Sequence, residues 1–159
     1  MNGYFGTIGS GFLLILLMLG LTGCFDRESK EQSTHPYDEN ANAAQDISTA
    51  LSTLGAQKRL LLVFGANWCP NCRRLDATLK QPEITGYLNA HFALVKVDLG
   101  NFDKNMDLFK RYGQQKKFGI PAISIVDGRD EVVRLVKGVE VATHHGKGRE
   151  AFYEWFKTL

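Results

Sequence analysis

The sequence predicts an α/β fold with a mixed central sheet and helices on both faces, and three observations carry that expectation. A continuous apolar run, residues 60–64, and a second segment, residues 93–98, read as buried strands and are separated by apolar positions at helical spacing. A third run, Ala122–Val126, is joined to Val132–Val136 through the turn signal Asp127-Gly128, the pattern of an antiparallel hairpin. The chain has 159 residues, 44% hydrophobic and 23% charged, which suffices for one packed domain.

The N-terminal residues read as an export signal. Residues 12–22 are almost wholly apolar, and no Lys, Arg, Asp or Glu occurs before Asp26. This block is shorter than the run of about 20 that spans a bilayer and fits the length of a signal-peptide core, about 7–15. Leu21-Thr22-Gly23-Cys24 follows it and resembles the lipobox of bacterial lipoproteins, which implies cleavage before Cys24 and lipidation of its sulfur. Residues 1–23 are therefore expected to be a lipoprotein signal peptide. An uncleaved membrane anchor is the alternative, because the apolar block could extend back to Tyr4, and cleaved soluble export is a third reading. All three put the remainder outside the cytoplasm, and the expected place is the periplasmic side of a bacterial cell envelope. Residues 24–44 are polar without an apolar period and are expected to form a lipid-anchored tether, with His35 a solvated linker residue.

The domain proper is expected over residues 45–159. Ile47, Leu51 and Leu54 give a helix one apolar stripe, and Gly55 is placed to end it. The strand of residues 60–64 is apolar throughout, as when helices cover both faces. Cys72, Leu75 and Leu79 continue at helical spacing until Pro82, and Ile84 and Leu88 mark a further helical stretch. The second strand is followed by a helix over residues 103–112, closed by Gly113. After the hairpin, residues 139–148 read as a loop, and Phe152, Trp155, Phe156 and Leu159 mark a closing helix. Crossover helices make the earlier strands parallel, and the hairpin adds an antiparallel edge. Nineteen Lys plus Arg against seventeen Asp plus Glu, with no long basic block, argue against nucleic-acid binding. No heptad or spare apolar stripe suggests a dimer, so a monomer is expected.

The chemistry falls where a central strand gives way to a helix, at Trp68-Cys69-Pro70-Asn71-Cys72. Unpaired amides and the helix dipole stabilise an anion there by about 0.3–2 kcal/mol, which favours a Cys69 thiolate. The thiolate is the nucleophile of disulfide exchange. With Pro70 turning the chain into the helix, Cys72 stays near enough to resolve a mixed disulfide.

Through Leu61-Leu62-Val63-Phe64-Gly65-Ala66-Asn67-Trp68-Cys69-Pro70-Asn71-Cys72 and the later Phe118-Gly119-Ile120-Pro121, the sequence resembles the thioredoxin family from about residue 44 to the end. The resemblance implies a thioredoxin fold and an extracytoplasmic thiol-disulfide oxidoreductase in which Cys69 attacks and Cys72 resolves. Trp68, Pro70 and Asn71 form its environment. A cis Ile120–Pro121 bond would face the pair, with adjacent backbone and the loop at Gly138 binding substrate. No bound cofactor is implied. Protein disulfides would be the substrates, and similarity to envelope thioredoxins and to the C-terminal domain of DsbD implies reduction with electrons from a membrane donor of the DsbD type. Three positions depart from thioredoxin or from the strong oxidant DsbA. Val63 stands where thioredoxin has a buried acid that moves the resolving thiol's proton, Asn71 lacks the oxidant's His, and Ile120 looks like the reducing relatives.

Other readings have specific signatures. A non-catalytic binding module would keep the cysteine pair as an inert structural disulfide. A zinc site needs about four ligands, and no second CxxC exists, so no metal is expected. Arg73 after Cys72 excludes a CxxCH haem attachment. His91 reads as structural, and His144-His145 as either a partner-touching rim or incidental loop residues.

Overall fold

A computed structural model of the protein describes residues 35–159. The expected signal peptide, Cys24 and the tether as far as residue 34 lie outside the described residues.

The four strands are β1 (Arg59–Gly65), β2 (Phe92–Asp98), β3 (Ala122–Val126) and β4 (Val132–Val136), in the order β2-β1-β3-β4. β1 pairs parallel with β2, from Arg59 opposite Phe92 to Gly65 opposite Asp98. β3 runs antiparallel to β1, with Val63 opposite Ile123, and β4 is antiparallel to β3 across an irregularity at Ile125/Val126. The antiparallel part therefore includes β3 and is larger than the single edge expected. The reason is the connection from β2. It holds one short helix, α4 (Met106–Arg111), and returns the chain to the sheet at the end it left, so that β3 runs antiparallel to β1.

The remaining helices are α1 (Ala43–Ser52), α2 (Pro70–Leu79), α3 (Pro82–His91), α5 (Gly138–Gly146) and α6 (Arg149–Phe156), with one 3-10 turn at Lys116–Phe118. Alternation along β1 sends Leu61 and Val63 into one core with Leu75, Ile84, Val141 and Phe152. Leu60, Leu62 and Phe64 enter the other, with Ile47, Phe109 and Tyr112. Each fully buried Leu or Phe contributes about 1.5–3 kcal/mol of transfer free energy, so the central strand is held from both faces.

Two expectations are corrected. Residues 139–148 were expected to be a loop, yet α5 fills most of that stretch, with Val141 buried and His144 stacked on Trp155 at 4.3 Å. The tether was expected to run to residue 44, but the chain joins the fold earlier. Pro36 and Tyr37 are buried, and Asn42 caps α1 by accepting from Gln45 N–H at 3.1 Å. Among the described residues no helix is long and apolar enough to cross a membrane.

Candidate active site

The end of β1 delivers the chain to α2 so that Cys69 becomes the helix's N-cap and Pro70 its first residue. Pro is suited to that position because its missing N–H would have no partner in the first turn anyway. Cys69 Sγ accepts from Cys72 N–H at 3.2 Å, and its thiol reaches the Ile120 carbonyl at 3.7 Å. Both cysteines are free thiols; Cys69 is 5% exposed and Cys72 fully buried.

These surroundings separate the two sulfurs. The thiol of Cys72 donates to Cys69 and, against a desolvation cost, pulls its pKa down to about 7, with further help from the Cys72 and Asn71 amides and from Arg73. The same hydrogen bond, together with burial, drives Cys72 far upward, while the Ala66 amide and the Tyr37 hydroxyl act in the opposite direction. Near neutral pH a large share of the pair is thus a Cys69 thiolate held by the Cys72 thiol. Cys69 has the charge a nucleophile needs, and Cys72 keeps its proton.

Around the pair, the Ile120–Pro121 bond is cis, and Pro121 is buried at the head of β3. Gly138, the first residue of α5, packs so closely on the peptide joining Gly119 to Ile120 that a Cβ there would stand 2.7 Å from Gly119 C and 2.9 Å from Ile120 N. Only glycine permits that approach. Trp68 is half exposed, and its indole Nε1–H donates to the Gly100 carbonyl at 2.7 Å, which fixes the ring beside the pair. Asn71 and Pro70 are exposed on the first turn of α2. A cavity of about 420 Å³ is lined by Trp68, Asn67, Arg73, Gly100 and Lys104, and another of about 500 Å³ between α1 and α4 is lined by none of the site residues. No group of three or more His, Cys, Asp or Glu able to hold a metal ion occurs among the described residues.

Four participants were not legible as such. Tyr37 is 3% exposed and forms a buried cluster with Cys69 and Cys72. Asn67 holds it by accepting from Tyr37 N–H at 2.9 Å and donating to Tyr37 O at 3.0 Å. Asp76, one turn beyond Cys72, accepts from Lys96 Nζ at 2.5 Å, and Lys96 also donates to the Pro36 carbonyl at 3.0 Å. The other Asp76 oxygen stands 2.8 Å from Lys80 Nζ, an ion-pair distance without hydrogen-bond geometry. Asp76 had a sequence signal, its position four residues after Cys72 on one helix; Tyr37 had none.

A nucleophilic thiolate at a helix N-terminus, a buried thiol one turn on and a cis-proline opposite define a thiol-disulfide redox protein. A family model described as thioredoxin-like matches residues 40–128, more than half of the chain, and the chain belongs to that family. Among solved structures, a disulphide isomerase from Xylella fastidiosa Temecula1 is 40% identical, with 78% of this chain and 95% of that chain covered and a TM-score of 0.72. The C-terminal domain of Neisseria meningitidis DsbD in the oxidised form is 26% identical, with 74% and 96% covered and a TM-score of 0.53. No curated protein matches the chain. The fold is thus thioredoxin-like and the activity, in general terms, thiol-disulfide exchange.

Proposed function

We propose that the protein reduces protein disulfides in the bacterial envelope, on the periplasmic side, while anchored through lipidated Cys24. The observation that carries the chemistry is the Cys69 thiolate, seated on the Cys72 amide with its pKa near 7. It attacks one sulfur of a substrate disulfide, whose S–S bond breaks, and the other substrate sulfur leaves as a thiolate. Cys72 then attacks Cys69 Sγ in the mixed disulfide. The second substrate sulfur departs, the Cys69–Cys72 disulfide forms, and the Cys72 proton passes to a departing thiolate. Two electrons have moved from the dithiol to the substrate, so a donor of the DsbD type must return two. Ile120 and Pro121 present the backbone edge along which an extended substrate lies, and Gly138 keeps that edge open. A monomer suffices, since both cysteines and the cis-proline come from one chain.

The reducing direction rests on Asn71 and Ile120 and on likeness to the DsbD domain. Likeness to the Xylella disulphide isomerase favours a second reading, rearrangement of wrong disulfides by the same thiolate. The reduction potential separates them, measured by equilibration in thiol buffers with cysteine alkylation as readout. A value near about −270 mV is expected for a reductase, and about −180 mV would favour the isomerase. A value near about −120 mV would make the protein a disulfide donor and overturn the reducing direction.

A further inference from the structure

Tyr37 lies in a segment whose composition suggests only a linker, yet five hydrogen bonds, one of them from Lys104 Nζ to the Glu39 carbonyl at 3.2 Å, fasten that segment to the active-site end of the domain. Asn67, two residues before Cys69, exchanges the two bonds described above with the Tyr37 backbone and donates to Glu39 Oε1 at 2.8 Å. Lys96 holds the Pro36 carbonyl. The strap drives the phenol inward until its hydroxyl lies against the α-carbon of Gly65. A Cβ on Gly65 would fall inside the Tyr37 hydroxyl and ring, so residue 65 must be glycine for Tyr37 to occupy its place. There the phenol packs in one buried cluster with Cys69 and Cys72.

We propose that the Tyr37 hydroxyl is a catalytic hydrogen-bond donor to Cys72 Sγ, stabilising the resolving thiolate when it forms. The inference rests on the thiol-disulfide reading of the site. The polarity follows from the chemistry of the cluster: a charged Cys72 sulfur has no proton to give, so the buried phenol packed with it can only donate. Tyr37 therefore keeps its proton and is no general base. Val63, at the position of thioredoxin's buried acid, has no ionisable group, so charge developing on Cys72 is met by a neutral donor. During resolution, Cys72 loses its proton to the departing thiolate, its sulfur bonds to Cys69 Sγ, and the mixed disulfide breaks. When the protein is re-reduced at Cys69, Cys72 leaves as a thiolate and meets the same donor. The charged groups nearby are the Cys69 thiolate, which opposes ionisation of Cys72, and Asp76, already engaged by Lys96.

The test uses the full chain and dithionitrobenzoate, which releases one coloured thiolate when Cys69 attacks and a second when Cys72 resolves. Tyr37→Phe keeps the ring and removes the donor. A hydrogen bond to a charged group corresponds to roughly tenfold or more in rate. The second release is expected to slow by that factor relative to the first, with its pH profile displaced to higher pH. Asn67→Ala, which keeps the phenol hydroxyl but loosens the strap that positions it, is expected to give a smaller defect of the same kind. Wild-type second-release rates and pH profiles in both variants would overturn the proposal and leave the thiol-disulfide reading intact. No release at all from the wild-type protein would overturn both.

Discussion

Cys69 and Cys72 differ by one helical turn and by which of them bears the charge, and that difference was half legible. The CxxC spacing after a buried strand identifies the nucleophile, because a helix N-terminus always offers unpaired amides. It does not show that the Cys72 thiol itself is the largest stabiliser of the Cys69 thiolate. Alkylation of the reduced protein by iodoacetamide, followed by mass, should therefore rise with pH about a midpoint near 7. Below that the proton returns and the rate falls. In Cys72→Ala the midpoint should climb toward the ordinary thiol value of about 8.5, since the leading stabiliser is gone. An unmoved midpoint would assign the effect to the helix amides and Arg73 alone. Tyr37 shows the opposite limit of legibility. A single aromatic among Pro, Asp, Glu and Asn has no periodicity, and its partner Asn67 is thirty residues away in sequence. Only the folded register of β1 against the strap gives it meaning.

At the scale of elements, the strands and the helices with full apolar stripes were readable, while α5 was not. Its single buried large side chain is Val141; Val139, two residues earlier, is 66% exposed, and Gly146 and Gly148 follow. So thin a stripe falls below what a helical period requires. The missing apolar surface is supplied by the paired histidines. His144 stacks on Trp155, and His145 on Phe152 at 4.2 Å, joining α5 to α6. His145 Nε2 is buried without a hydrogen-bond partner, and burial, with Arg74 adding repulsion, lowers its pKa from 6.5 to about 4. The unfolded chain therefore takes up this proton first. The contribution is fully present above pH about 6.5 and is lost as pH falls toward about 4, below which it is flat. Because the ring is only partly buried, a loss of roughly 1–2 kcal/mol is reasonable after allowance for solvent screening. Urea unfolding of wild type and His145→Phe across that range should show the loss in the first and its absence in the second. Parallel pH curves would refute the assignment.

The whole molecule is two cores sharing one sheet, with the reactive face where they meet. α2, which carries Cys72, belongs to one core through Leu75 and Leu79, whereas Ile120 packs against the other and against the cysteine cluster. This division was readable from the unbroken apolar run of β1, whereas the sense of β3 was not. The strap changes what the proposed anchor implies. With the chain part of the fold from Pro36 onward, only residues 25–35 separate it from Cys24, a path of at most about 43 Å when fully extended. Lipidation predicts that Cys24→Ala moves the protein from the membrane to the soluble fraction of the envelope. Its rate of exchange with soluble dithionitrobenzoate should be unchanged, because Cys69, Cys72 and Tyr37 are intact. A Cys24→Ala protein that stays with the membranes would show instead that the apolar block of residues 12–22 is an uncleaved anchor. A variant that leaves the membranes and also loses exchange would mean that lipidation holds the strap in place, tying the dithiol's chemistry to the anchor itself.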